Sequence, residues 1–175
     1  GRNPGPVDGD EFAQRLAKKA AALPAGDPGK KPVVLGSLIS TQAADKTEAL
    51  IADAVAKGAK RLSGGWRDGS MMDATILDHV TPAMRIYTEE TFGPAVPIVR
   101  VTDEDEAVRV ANDTEYGLSA AVYTRDIARG LRIARRIESG ICHINGPTIQ
   151  DEAQVPFGGV KASGIGRFGG QHGVA

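Results

Sequence analysis

The sequence predicts an α/β fold in which a sheet with parallel strand pairs is flanked by helices. Two observations carry that expectation. Between residues 96 and 145, strand-like runs alternate with helix-like runs of ten or so residues, the spacing that crossover connections between parallel strands require. Ahead of them, apolar residues recur twice at the 3.6-residue period of amphipathic helices. Bulk properties agree: 175 residues, 41% hydrophobic, with 21 basic against 22 acidic side chains and a net charge of -1, describe one ordinary soluble domain. A chain of this size buries roughly 70% of the surface exposed on unfolding, so no disulfide or structural metal is required.

Taken in order, residues 1–9 mix Gly, Pro and Asn without apolar periodicity and read as a flexible or cloning-derived lead, leaving 10–175 as the domain. Phe12, Leu16, Ala20 and Leu23 follow helical spacing behind an acidic first turn, and Pro24 stops the run, predicting a helix over 10–23. A Gly/Pro loop follows at 25–31. Ser40 suits the cap of a second helix with an apolar face of Ala43, Thr47, Leu50, Ile51, Ala54 and Val55, closed by Gly58. Short β segments are expected at 60–63 and 74–77 around a glycine-rich turn carrying Trp66. Then come a strand at 96–101, an acidic-start helix at 103–111, a strand at 120–124, a basic amphipathic helix at 127–138 and a strand at 141–145. Beyond 145 the pattern becomes loop, long enough to suggest function.

Several chemistries are set aside. Balanced charge without a basic block argues against nucleic acid, and no apolar run approaches the roughly 18 residues of a membrane helix. A single cysteine and the absence of a charged-then-apolar leader point to the cytoplasm. Gly164 to Gly169 spells G-x-G-x-x-G, but no strand precedes it and no helix follows, so these glycines read as turn formers. Cys142 and His143, adjacent on an expected strand, point to opposite faces and cannot share a proton, which makes Cys142 a packing residue. His79, His143 and His172 are scattered and propose no metal site. No Ser stands in a G-x-S-x-G elbow.

Glu89 and Glu90 precede Thr91, Phe92, Gly93 and Pro94. Two adjacent carboxylates read plainly as solvated surface. A carboxylate followed by an aromatic ring and a Gly-Pro turn also has the parts for nucleoside binding: acceptors for vicinal ribose hydroxyls and a face for a planar base.

From here the sequence resembles the aldehyde dehydrogenase superfamily. E-E-T-F-G-P at 89–94, D-E-A-V-R-V-A-N-D-T-E-Y-G-L-S-A at 105–120, I-N-G-P at 144–147 and P-F-G-G-V-K-A-S-G-I-G-R at 156–167 are similar to its motifs, in its order. L-G-S-L-I-S at 35–40 and the G-A-K at 58–60 extend the likeness. Most of that superfamily has Glu after the last Arg, whereas Phe168 stands here, as in the group acting on salicylaldehyde, vanillin and benzaldehyde.

The resemblance implies an aldehyde dehydrogenase-like catalytic domain fragment, the C-terminal part, acting with NAD on an aromatic aldehyde in a homo-oligomeric parent enzyme. It implies that Glu90 binds the nicotinamide ribose, that Phe92 packs beside the nicotinamide end, and that Phe157 lines the aldehyde pocket, with 146–155 at its mouth. Phe157 reads equally as an anchor pinning the loop. Lys161 and Arg167 are expected to be structural or interfacial. The family's attacking cysteine, water-activating glutamate and dinucleotide-binding unit fall upstream of the region matched, so no catalytic residue is expected in this chain and the isolated piece is expected to be inactive. The chain is also expected to stop short of the strand with which relatives join subunits. Two alternatives stay open: an enzyme for an aliphatic semialdehyde, and a non-catalytic binding or assembly module of the same fold.

Overall fold

A computed structural model describes residues 9–173 of the chain. The expected lead therefore lies outside the described residues apart from Gly9, which opens the first helix, and so does the His172 side chain. The chain gathers into two compact units that part between Arg100 and Val101.

In the first unit, α1 (Gly9–Ala21) buries Ala13, Ala17 and Ala20, small residues on one stripe that allow close approach, while Phe12 is half exposed. It ends two residues before the expected stop, and Leu23 closes a final turn onto the Ala20 carbonyl. Helix α2 (Thr41–Ala56) starts where expected, with the Ser40 hydroxyl accepting from the Ala43 amide at 3.1 Å. Ala44, Thr47, Leu50, Ile51 and Ala54 form its buried face; Ala43 and Val55, expected there, lie off it. Gly58, at φ 104°, supplies the left-handed exit.

Against α1 and α2 lies a three-stranded sheet in the order β1 (Lys60–Ser63), β4 (Thr75–Asp78), β5 (Ala95–Pro97), with β1 antiparallel and β5 parallel to β4. β4 is buried throughout, and Leu77 and Leu50 sit at the centre of the core. The turn around Trp66 is in fact a small hairpin, β2 (Arg67–Asp68) with β3 (Met71–Met72), and a one-turn helix α3 (Arg85–Thr88) precedes β5. β5 is shorter than the expected 96–101 and ends at Pro97, although the Ile98 amide still donates to the Leu77 carbonyl at 2.7 Å.

In the second unit, α4 (Glu104–Asn112) is capped by Asp103, and α5 (Ile127–Ala134) by Asp126. β7 (Ser119–Val122) and β8 (Ile141–Ile144) pair in parallel, Ser119 opposite Ile141 through Val122 opposite Ile144, with α5 as the crossover. This is the strand–helix–strand unit that the alternation predicts. α5 is four residues shorter than expected: tight turns at Arg136 and Ile137 end it. Gly130 lies against Thr124 and Ile144, where no Cβ fits comfortably, and sets α5 on the Ile144 face. β6 (Tyr116–Gly117) pairs antiparallel with β9 (Val160–Lys161), neither of which the sequence pattern predicts, and a short 3-10 helix closes the described chain at Gly170–Gly173.

Candidate functional site

The segment carrying Glu89 and Glu90 is tied down from several sides. The Arg85 guanidinium grips Glu89 through both oxygens, at 2.6 and 3.0 Å, and this holds the Glu89 carboxyl below the usual carboxylate range. The Arg85 amide donates to Asp53, which also receives Lys57; Lys57, first of all, and then that amide hold the Asp53 carboxyl low. Gly93 lies so close to Thr47 of α2 that a Cβ would collide with its side chain, and the Pro94 carbonyl accepts from the Thr75 amide at 2.7 Å. On this fixed base the two carboxylates divide. Glu89 is spent on Arg85, whereas Glu90 is exposed and has no hydrogen bond or ion pair among the described residues. Two residues on, Phe92 presents its ring with 79% of the residue exposed.

A free carboxylate beside a bare aromatic face is the donor-poor, acceptor-rich arrangement that ribose hydroxyls and a planar base would satisfy. The residues present thus fit the nicotinamide-ribose end of a dinucleotide.

Phe157 belongs to the second unit. Its amide and carbonyl exchange hydrogen bonds of 2.7 and 2.9 Å with Phe168, and the two rings lie 5.1 Å apart, tilted by 51°. The half-buried Phe157 therefore has a packing partner in Phe168, which is the contact that the anchor reading calls for. Around it the backbone is crowded: a Cβ on Gly140 would overlap the Gly158 carbonyl. Arg167 donates to the Gly159 and Gly166 carbonyls, and Lys161 to those of Asn112 and Thr114 while pairing with Glu138 at 2.6 Å. Both cations thus brace loops. Gly164, at φ 122°, lies in the turn that returns Phe168 to Phe157, and Gly169, at φ 86°, follows that bridge.

Cys142 shares the α5 face with Ile144, and His143 points the other way. Cys142 is only half-buried, less than a core residue, yet burial pushes its thiol up and away from the thiolate that a nucleophile needs. Among the described residues one group has metal-ligand reach, Asp10, Asp78 and His79, so His79 does have carboxylate neighbours that its sequence position does not reveal. Arg100 already donates to both carboxylates, at 2.7 to 2.9 Å, and offsets one of their two charges.

Sequence reasoning misses Arg85, although its place four residues ahead of Glu89 is a legible helix-spacing signal. It also misses the hydroxyls of Ser119 and Tyr123, which reach the carbonyls of Thr148 and Gly146; nothing in the sequence announces those contacts.

The sequence model of the aldehyde dehydrogenase family matches residues 9–175. Vanillin dehydrogenase of Pseudomonas sp. (strain HR199 / DSM 7063) is 53% identical over 160 residues, 91% of this chain and 33% of its own. Salicylaldehyde dehydrogenase of Pseudomonas putida is 49% identical over 163 residues, 93% of this chain and 34% of its own. The crystal structure of a salicylaldehyde dehydrogenase from Pseudomonas putida G7 complexed with salicylaldehyde superposes with a TM-score of 0.90 at 48% identity, covering 94% of this chain and 34% of that one. Two more distant structures carry different cofactors. An NADP-dependent glyceraldehyde-3-phosphate dehydrogenase from Bacillus halodurans C-125, complexed with NADP, has a TM-score of 0.90 at 37% identity over 95% of this chain and 35% of that one. A Mycobacterium tuberculosis aldehyde dehydrogenase complexed with NAD+ has 0.87 at 35% identity over 94% and 35%. The chain spans about a third of the length of the curated relatives it matches.

Proposed function

Because this chain belongs to the aldehyde dehydrogenase family, we propose that it forms part of an enzyme that oxidises an aromatic aldehyde to its carboxylate with NAD as hydride acceptor. The observation that carries this reading is the division of labour between Glu89, clamped by Arg85, and Glu90, left free beside the exposed Phe92. Glu90 accepts hydrogen bonds from the ribose hydroxyls and so fixes the position of the ring, which, when bound, takes up a hydride. Phe92 covers one side of that end and keeps water from it. Phe157, backed by Phe168, offers an aromatic wall to the ring of the aldehyde. The resemblance to vanillin and salicylaldehyde dehydrogenases supports the aromatic substrate over an aliphatic semialdehyde.

The covalent step needs a thiolate, and Cys142 does not qualify: its thiol is pushed up by burial and it faces α5. The attacking cysteine and the glutamate that activates water for thioester hydrolysis belong to the rest of the parent polypeptide. The complete enzyme works as a cytoplasmic homo-oligomer, and the 175-residue chain alone is inactive. Steady NADH formation by the purified chain with benzaldehyde would overturn that last statement.

The Glu90 assignment is tested in the complete enzyme. Glu90→Gln removes one charged acceptor and raises KM for NAD about tenfold, with slower hydride transfer and an unchanged KM for the aldehyde. Cofactor KM and hydride-transfer rate both equal to those of the unmodified enzyme would remove Glu90 from the site.

A further inference from the structure

The loop that follows β8 is held by two hydroxyls that the reaction itself does not use. Residues 119 and 123 stand four apart along β7 and its extension, so both side chains leave the same face. Ser119 Oγ donates to the Thr148 carbonyl at 2.8 Å, and the Tyr123 hydroxyl donates to the Gly146 carbonyl at 2.9 Å. The two acceptors are themselves two residues apart, so the loop is gripped at two points. Asn145 makes the sharp exit from β8 at φ 57°, its side chain accepting from the Thr124 amide at 2.8 Å and donating to the Thr124 carbonyl at 2.9 Å. The chain then doubles back over the face that carries His143: a Cβ on Gly146 would stand 3.6 Å from the His143 Cβ. A turn from the Gln150 amide to the Pro147 carbonyl closes the loop and leaves Ile149 at its tip, 91% exposed.

We propose that Ser119 and Tyr123 are positioning residues that fix the 146–150 loop as one wall of the aldehyde pocket and thereby set the preference for aromatic over aliphatic aldehydes. The inference rests on the proposed reading of this loop as the mouth of that pocket. Neither hydroxyl touches substrate; each acts through a loop carbonyl. Their role is separable from the fold. The β7–β8 pair is already held by four register positions and by the Asn145 clip, and both bonds lie at an exposed edge where water can satisfy the carbonyls. Losing the hydroxyls frees the loop without unpairing the strands.

The experiment uses the complete enzyme with Ser119→Ala, Tyr123→Phe and the double variant, each change deleting only oxygen atoms. The double variant raises KM for benzaldehyde about three- to tenfold and lowers the ratio of benzaldehyde to propanal kcat/KM by a similar factor, with KM for NAD unchanged. Ser119→Thr, which keeps the hydroxyl, restores much of the ratio. An unchanged benzaldehyde KM, an equal change for both aldehydes, or single variants that fail to fold would each overturn the proposal, the last two because they make the hydroxyls merely structural. Phe157→Ala run in parallel separates the layers: if it too leaves the benzaldehyde KM alone, the pocket reading fails, whereas a shift there with none from the hydroxyl variants defeats this inference only.

Discussion

Asp78 shows how much one side chain at the end of a buried strand can carry. It closes β4 with its side chain 5% exposed, receives Arg100 through both carboxylate oxygens at 2.7 and 2.8 Å, and accepts the His79 amide at 2.8 Å. Arg100, ahead of that amide, pulls the Asp78 carboxyl below its ordinary value of 3.8. A carboxylate with a depressed folded value binds fewer protons folded than unfolded just below that ordinary value. Its contribution is therefore complete above about pH 5 and is lost as pH falls through the lower folded value. Asp78→Asn leaves a half-buried guanidinium short of its main partner and lowers stability by about 2 to 3 kcal/mol near neutrality. Urea denaturation at pH 7 and at about pH 3 measures this. The gap between the two proteins narrows in acid; a gap of equal size at both values contradicts an ionic origin.

Helix α2 supports both the core and the candidate cofactor segment, because Leu50 and Ile51 face β4 while Thr47 presses on Gly93. Its start depends on Ser40, extended at φ -161° and ψ 166°, whose hydroxyl takes one of the amides that the first turn leaves unpaired. Ser40→Ala costs about 1 kcal/mol, and Ser40→Asp restores it; an unchanged urea midpoint in the alanine variant would show that water replaces the cap. This element was legible from sequence because cap, apolar spacing and terminal glycine all lie within nineteen residues. The β7–α5–β8 crossover was legible for the same reason. What escaped are the elements whose reason is distant. β6 and β9 pair across more than forty residues, and β2–β3 is held through Arg67 to Asp45 and Glu48 of α2. At the candidate site, Glu90 and Phe92 stood out by residue type and order, but that Glu89 is spent and Glu90 free depends on where Arg85 points, which no pattern of letters states.

At the scale of the whole chain, apolar burial is uneven. The first unit holds two clusters of buried side chains, built from α1, α2, β1 and β4 and including Leu50, Ile76 and Leu77. Beyond Arg100, Val108 is the one buried apolar side chain among the described residues. There every residue of β7 and β8 is only partly covered, and α5 leaves Ile127 and Leu131 about half exposed. Two parallel strands and one helix are too few to exclude water from their own hydrogen bonds. Local opening should therefore cost least in the second unit. Amide hydrogen exchange of the 175-residue chain reads this directly. The amides of α2 and β4 exchange slowest, near the rate set by global unfolding, and those of β7, β8 and α5 exchange at least about tenfold faster. If the complete enzyme proposed above covers the faces left bare here, the same β7 and β8 amides slow in it to match β4. Equal protection of β4 and β8 in the 175-residue chain would mean that the second unit supports itself, and its exposed apolar side chains would then be no argument for a covering segment.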